Sequence, residues 1–285
     1  MGNFLHRHKG VTPYLLLGPG ILWLGIFFLI PLAYLGYQSL QSGVFPGFEF
    51  TWEFSNFSEA ISDYHEQLLR SFLYAGIATA ACLLLAYPLV YWIAFKAGPW
   101  RNLFLLFIVA PFFVTYLIRT LAWLNILADE GPVVGVLRGI HVLDEDGRLL
   151  ATTFAVVSGI TYNFFPFMAL PIYVSLEQID PRLLEAAKDL YASSTQAFLR
   201  VTLPLSAPGI VAGTLLTFIP AAGDFINAAL LGTPKQQMIG NVIQAKFLTS
   251  LDYPTAASLS FILMGTILIA VLLYARIVGS EKLTG

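Results

Sequence analysis

Two charged side chains, Arg119 and Asp224, stand inside long apolar stretches of this 285-residue chain. A charge at the centre of a membrane-spanning helix costs about 2.5–3.5 kcal/mol on insertion scales, so each needs a physical reason to be there. At ~1.5 Å per residue from Arg101 and from Pro208, the two reach a similar depth. Asp224 can line a solute path and meet an ammonium group, or it can pair with Arg119 while Arg119 reaches for headgroups. The path reading is favoured for Asp224 and a structural one for Arg119. Pro220 and Gly223 just before Asp224 would loosen a helix there and free carbonyls toward a cavity. Trp123, Tyr162, Phe164, Phe165 and Phe167 could stack on a cation, although such rings are more often helix-packing filler.

Other chemistry is excluded residue by residue. His6, His8, His65 and His141 all fall outside the apolar stretches, so metal or histidine chemistry within them is unsupported. The single cysteine, Cys82, lies in an apolar run; it gives neither a disulfide framework nor a zinc site and reads as small core filler. No Gly-Lys-Ser/Thr phosphate loop is present, so the chain binds no nucleotide or other cofactor of its own. A net charge of −2 provides no basic patch for nucleic acid.

What must position these residues is a membrane. The chain is 57% hydrophobic and 11% charged, with a mean hydropathy of +0.75, whereas soluble domains are about 25% charged. A span needs about 20 apolar residues. Six segments qualify: Tyr14–Tyr37, Ser71–Phe95, Leu103–Ala128, Leu150–Leu176, Gly209–Leu231 and Thr255–Tyr274. His6, Arg7, His8 and Lys9 precede the first, but its apolar run is too long for a cleaved signal, which predicts a retained signal-anchor helix. The fold class is all-α, with a segment 1–13, a six-span domain 14–276 and a tail 277–285. No internal repeat is visible.

Lysine and arginine set the orientation. With the N-terminus inside, Arg7, Lys9, Lys96, Arg101, Arg182, Lys188, Arg200, Arg276 and Lys282 are cytoplasmic, against Arg70, Arg138, Arg148, Lys235 and Lys246 outside. Both termini are then cytoplasmic. The outer face also carries Glu49, Glu53, Glu59, Asp63, Glu66, Asp129, Glu130, Asp144, Glu145, Asp146 and Asp252, a negative mouth that would attract cations or simply a solvated exterior. Gln237–Ser250 reads as a short amphipathic helix with Ile239, Val242, Ile243 and Phe247 on one side, and Asn241, Gln244 and Lys246 elsewhere.

Between the fourth and fifth spans lies a polar loop, 177–208. Asp180 is an N-cap and Pro181 a first helical residue. The helix they start presents Leu183, Leu184, Ala187 and Leu190 on one flank and Glu185, Lys188 and Asp189 on another, with Ala186 and Ala187 small enough for close approach. Ser193 with Gln196 forms a capping box for a second short helix, running to about Val201, where Pro204 blocks continuation. Two capped helices make a knob suited to a groove on a partner.

This loop, with Glu185-Ala186-Ala187, Ala192-Ser193, Phe198, Val201, Leu203-Pro204 and Pro208-Gly209, resembles the "EAA" loop of ABC importer permeases of the binding-protein-dependent type I class. Pro111-Phe112, the Arg119–Trp123 run, Pro166–Met168, Leu170–Tyr173, Ser175–Asp180, Gly223–Phe225, Leu230–Gly232 and Met238–Asn241 are similar to spermidine/putrescine permeases or their relatives for ferric iron, thiamine or opine-like solutes. The resemblance implies the type I permease fold and a non-enzymatic subunit in a bacterial inner membrane. It implies docking of an ATPase dimer, which uses ATP and magnesium, on Leu183, Leu184, Glu185, Ala186, Ala187, Asp189, Leu190, Tyr191, Ala192 and Ser193. A second permease subunit and an extracytoplasmic solute-binding protein complete the set, in contact with lipid. Tyr191 departs from the glycine usual at the turn: either the turn is strained, or the first helix ends differently. An ion-coupled secondary transporter is the alternative, disfavoured by one buried acid and no repeat.

Overall fold

The computed structural model describes residues 12–144 and 146–278. His6, Arg7, His8 and Lys9, Glu145, and Lys282 with the last residues of the tail lie outside the described residues. Two compact units emerge: residues up to Asp63 with Ala245–Ile262, and Tyr64–Gln244 with residues from Leu263 on. Among the described residues four helices are long and apolar enough to cross a membrane, or up to six spans if each of two bent pairs counts as one.

In the first unit, α1 (Thr12–Leu24) passes through a π-helical stretch, Gly25–Leu29, into α2 (Ile30–Ser39). The Ile30 N–H bonds the Gly25 carbonyl, five residues back, just before Pro31. Widening the turn moves aside the carbonyl that the proline ring would otherwise meet. A small hairpin pairs β1 (Gln41–Ser42) with β2 (Glu49–Phe50). Asn56 ties it down, donating to the Ser39 and Gln41 carbonyls at 3.0 and 2.8 Å.

The second span differs from expectation at its start. Helix α3 runs Ser55–Lys96, so much of the segment taken for a solvated loop is helical. Glu59, Asp63 and Glu66 are adequate helix residues, and Glu66 meets Arg70 at 3.9 Å one turn on. The third span is not continuous. After α4 (Arg101–Val109) and a 3₁₀ turn, Ala110–Phe113, the backbone extends at Val114 and Thr115 before α5 (Tyr116–Leu127). The two parts are bent by 97°. Pro111, which cannot donate to the preceding turn, sits at the break. An unforeseen helix, α6 (Pro132–Gly139), follows.

The fourth span, α7 (Thr153–Glu177), matches its expected range and is the most enclosed. Thr152 caps it, accepting from the Ala155 N–H at 3.2 Å. Then come α8 (Pro181–Asp189), α9 (Ser194–Ala197), a π stretch Phe198–Thr202, and α10 (Leu203–Leu205). Pro204 therefore does not end the helix. Leu203 N–H bonds the Phe198 carbonyl, so a widened turn again admits the proline, and the 60° bend comes at Ser206.

The fifth span is shorter than expected: α11 covers Ala207–Ala222, and α12 (Ile226–Leu231) is a separate helix beyond a break at Gly223–Phe225. Helix α11 packs closely on α7 through Gly209 and Gly213, one turn apart. A Cβ at Gly209 would lie 2.5 Å from the Pro171 carbonyl oxygen, and one at Gly213 would lie 2.9 Å from the Met168 sulfur. Small residues at this spacing let membrane helices approach backbone to backbone.

After a 3₁₀ turn, Pro234–Gln236, come α13 (Ile239–Leu248) and the last span α14 (Tyr253–Val278). The expected helix at 237–250 exists, but Asn241 is buried beside Ile239 and Val242 instead of facing away.

Candidate functional site: the loop helices and a polar seam at the span breaks

The loop after α7 has one free helix and one anchored helix. In α8 no residue is buried. Asp180 caps it, accepting from the Arg182 N–H at 2.9 Å, with Pro181 in the first turn. Leu183 and Leu190 are exposed, Leu184 and Ala187 half-buried, and Glu185, Ala186, Lys188 and Asp189 exposed. The helix closes in a Schellman turn: Tyr191 N–H bonds the Lys188 carbonyl at 2.9 Å, and Ala192 N–H bonds the Ala187 carbonyl at 3.0 Å. That geometry places Tyr191 at a φ of 59°. Of the two alternatives left by the sequence, the strained turn is the one realised, at a cost of about 1–2 kcal/mol for a residue with a Cβ.

The anticipated capping box is present. Ser193 Oγ accepts from Gln196 N–H at 3.3 Å, and Gln196 Oε1 accepts from Ser193 N–H at 3.0 Å. Beyond it the chain is held by the spans. The Phe198 ring sits edge-on to both Tyr87 and Tyr91 of α3, with centroids 5.7 Å away in each case. Thr202 and Ser206 are fully buried, and Tyr87 OH and Ser206 Oγ are 2.8 Å apart. Arg101 pairs with Glu177 at 2.9 Å, so the start of α4 and the end of α7 meet on the loop's side. At the other end of α3, Arg70 donates to the Gln237 carbonyl at 3.0 Å, and Ser71 Oγ accepts from Ile239 N–H at 2.8 Å.

The second feature is a buried polar seam where the third and fifth spans break. Asp224 is buried, and its carboxylate is spoken for within the chain. Oδ1 accepts from Asn227 N–H at 2.8 Å, in the first turn of α12, while Oδ2 accepts from Asn227 Nδ2 at 3.0 Å and from the Tyr116 hydroxyl. A negative charge at the start of α12 is favoured by the helix dipole. Asn163 of α7 donates to Thr120 Oγ1 at 3.1 Å and to Asn227 Oδ1 at 3.2 Å. Asn241 of α13 donates to the Phe225 carbonyl at 2.6 Å, satisfying backbone freed by the break. Gly240 permits that approach, since a Cβ there would lie 2.6 Å from the Gly223 carbonyl oxygen.

Arg119 does not pair with Asp224: among the described residues no ion pair within 4.0 Å joins them. Arg119 is 7% exposed; its guanidinium lies over the rings of Phe112 at 5.0 Å and Tyr116 at 5.6 Å, and its Nε and Nη1 have no hydrogen-bond partner among the described residues. Aromatic faces attract such a cation. Phe167 packs edge-on against Phe112 at 5.1 Å and so adjoins this group. Trp123 does not join it. Its ring lies 5.5 Å from that of Tyr162, tilted by 57°, and both line an open apolar cavity of about 500 Å³ with Ile77, Leu85 and Phe165.

Sequence reading found Asp224 and Arg119 by charge and missed Tyr116, Thr120, Asn163 and Asn227, which complete the seam. Their signal was available as neutral polar side chains within apolar runs. Tyr87 and Tyr91, which hold the loop, carried the same mark in the second apolar run, whereas Ser206 lies in the polar loop and carries none. Cys82 behaves as core filler, buried and donating to the Thr161 carbonyl at 3.3 Å.

This architecture has close counterparts. The spermidine/putrescine transport system permease protein PotB of Escherichia coli K12 is 37% identical over 256 residues, covering 89% of this chain and 93% of that protein. The inner membrane ABC transporter permease protein YdcU of the same organism is 30% identical, covering 96% and 91%. A solved bacterial alginate ABC transporter, in complex with an alginate pentasaccharide-bound periplasmic protein, matches in fold with a TM-score of 0.74 at 20% identity, covering 99% of this chain and 98% of that one. A family model, the binding-protein-dependent transport system inner membrane component, matches residues 11–279. The chain belongs to that family, as a multi-pass permease subunit of an ABC importer with the type I permease fold.

Proposed function

We propose that this subunit forms half of a route for spermidine, putrescine or a related small polyammonium solute, driven by an ATPase dimer that docks on residues 183–193. The carrying observation is the division of the loop: an exposed, capped helix α8 with no buried side chain, joined to a segment locked into α3 by Phe198 and Ser206. A partner gripping α8 has a short, stiff lever to the spans. Closure of the ATPase pair would swing α8 as a rigid body, and this subunit and a second, homologous permease would rock between inward- and outward-facing states. ATP and a loaded extracytoplasmic binding protein would each favour one state by differential affinity. The polyamine assignment rests on the 37% identity to a permease of that name. Nucleotide chemistry belongs to the partner, and this chain is non-catalytic.

The same reading puts both termini and the loop in the cytoplasm. The Arg101–Glu177 pair supports it by bringing the second-to-third and fourth-to-fifth connections to one side. Two of the acids counted outside are partly neutralised: Asp129 meets Arg148 at 3.1 Å, and Asp252 meets Lys246 at 2.9 Å. Asp224 borders the solute route in this proposal, with Arg119 linked to it through Tyr116, and with Phe167 and Trp123 as further lining residues.

The test is co-purification and transport in one experiment. The chain, expressed with its companion subunits, should bring down the ATPase and support ATP-dependent spermidine uptake into proteoliposomes. Uptake by this chain alone without nucleotide, or external labelling of cysteines placed at 181–201, defeats the proposal. Asp224→Asn should lower uptake while the complex still assembles; unchanged uptake removes Asp224 from the route.

A further inference from the structure

Tyr191 combines a left-handed backbone with the most exposed large apolar side chain of the loop. Its φ of 59° is fixed by the Schellman turn, and 97% of its surface faces outward. Glycine would hold the same turn without the steric penalty. Backbone strain of this kind persists where something over-determines it, and the ring receives no packing from its own chain in return. Leu190 beside it is 82% exposed and Leu183, two turns back along α8, is 47% exposed. The three form an apolar edge whose flank carries Glu185, Lys188 and Asp189. An apolar anchor rimmed by mixed charge is the pattern of an energetic hot spot on a protein partner, where tyrosine is enriched. A lipid surface would call for a basic flank instead, and Glu185 and Asp189 offset Arg182 and Lys188.

We infer that Tyr191 is an anchor residue for the cognate ATP-hydrolysing subunit: with Leu190 it enters an apolar pocket on that protein and sets which ATPase this permease accepts. The inference rests on the docking reading above and adds the residue that dominates it. The turn aims the ring away from the spans, where a flat glycine turn would present backbone only. The partner pocket must therefore be deep enough for an aromatic ring, and an ATPase shaped for a glycine turn fits poorly.

The measurement is the affinity of purified ATPase subunit for the assembled permease pair in nanodiscs, for the native chain and four variants. Tyr191→Phe should bind within about threefold of native. Tyr191→Ala should weaken binding at least ~10-fold. Tyr191→Gly relieves the strained turn, so a purely structural role predicts equal or tighter binding, whereas the anchor role predicts weakening like that of Ala. Affinity for Tyr191→Gly and Tyr191→Ala equal to native overturns the anchor. Ala187→Glu separates the two ideas: if it abolishes binding while the Tyr191 variants do not, only the anchor fails. If it too leaves binding intact, the docking reading fails with it. A loss of vesicle binding by the isolated permease pair with Tyr191→Ala, at unchanged ATPase affinity, would assign the ring to lipid and also overturn the proposal.

Discussion

Replacing Phe198 by alanine tests whether the loop drives the spans through a stiff joint. Phe198 makes two edge-on contacts, with Tyr87 and Tyr91, both at 5.7 Å. Each such pair contributes about 0.5–1.5 kcal/mol beyond buried area, so the joint loses about 1–3 kcal/mol. At 1.4 kcal/mol per tenfold, a loosened loop becomes ~5- to 150-fold more populated. Helix α8 touches the Phe198–Thr202 stretch but makes none of these ring contacts, so ATPase affinity should fall much less than the coupling does. Solute transported per ATP hydrolysed should fall several-fold, because nucleotide-driven motion would be absorbed at the joint. The assay is paired uptake and phosphate release in proteoliposomes, with assembly checked by size-exclusion chromatography. Phe198→Leu, which keeps apolar volume but loses the ring, should fall between. An unchanged transport-to-hydrolysis ratio in an assembled Phe198→Ala complex refutes the lever. So does a loss of ATPase affinity as large as that of Ala187→Glu.

Three further outcomes follow from the packing. Gly213→Leu should cost about 1–3 kcal/mol by overpacking against Met168, read as a lower melting temperature in detergent, while Gly265→Leu, with open space at its Cβ, should change nothing. Arg119→Met removes a buried guanidinium whose Nε and Nη1 lack partners, and stability should be unchanged or higher; a loss above about 1 kcal/mol would show that the charge is paired in the working assembly. Burial pushes the Asp252 carboxyl up, but bonds from Lys246 and Thr255 outweigh it and hold it below the usual aspartate value. Its contribution is therefore present above pH ~4 and lost as pH falls through the lowered value. Because the pair is partly exposed, Lys246→Met should reduce that acid-side slope, leaving the part due to Thr255, at a cost of only about 0.5–1 kcal/mol.

The spans were legible because hydropathy reports environment directly, and the fourth and sixth came out within a few residues of α7 and α14. Capping chemistry was equally direct at Asp180, Ser193 and Gln196, where the signal is local. What sequence did not yield depends on neighbours. The break at Val114–Thr115 and the full separation of α12 need backbone groups satisfied from elsewhere in the fold, as Asn241 satisfies the Phe225 carbonyl. A search for charges overlooks that work because it is done by amides and hydroxyls. Pro204 misled for a related reason: a proline forbids a regular α-turn, and a π turn is a way around it that only the backbone path reveals.

The same distinction separates two kinds of rigidity in the molecule. At the seam, Asp224, Asn227, Asn163, Thr120 and Tyr116 bond one another, so the break between the fifth span and α12 is fixed by many partners and is expensive to disturb. At the loop, α8 has caps but no buried residue, and it is held by the turn at Tyr191, by its contacts with the next short helix and the Phe198–Thr202 stretch, and through them by the hold on Phe198. A subunit moved from outside needs that asymmetry, a handle free to be gripped and a body that does not yield when it is pulled. If hydrogen exchange showed the amides of α12 opening as readily as those of α8, the body would be as soft as the handle, and motion imposed at one end would not reach the other.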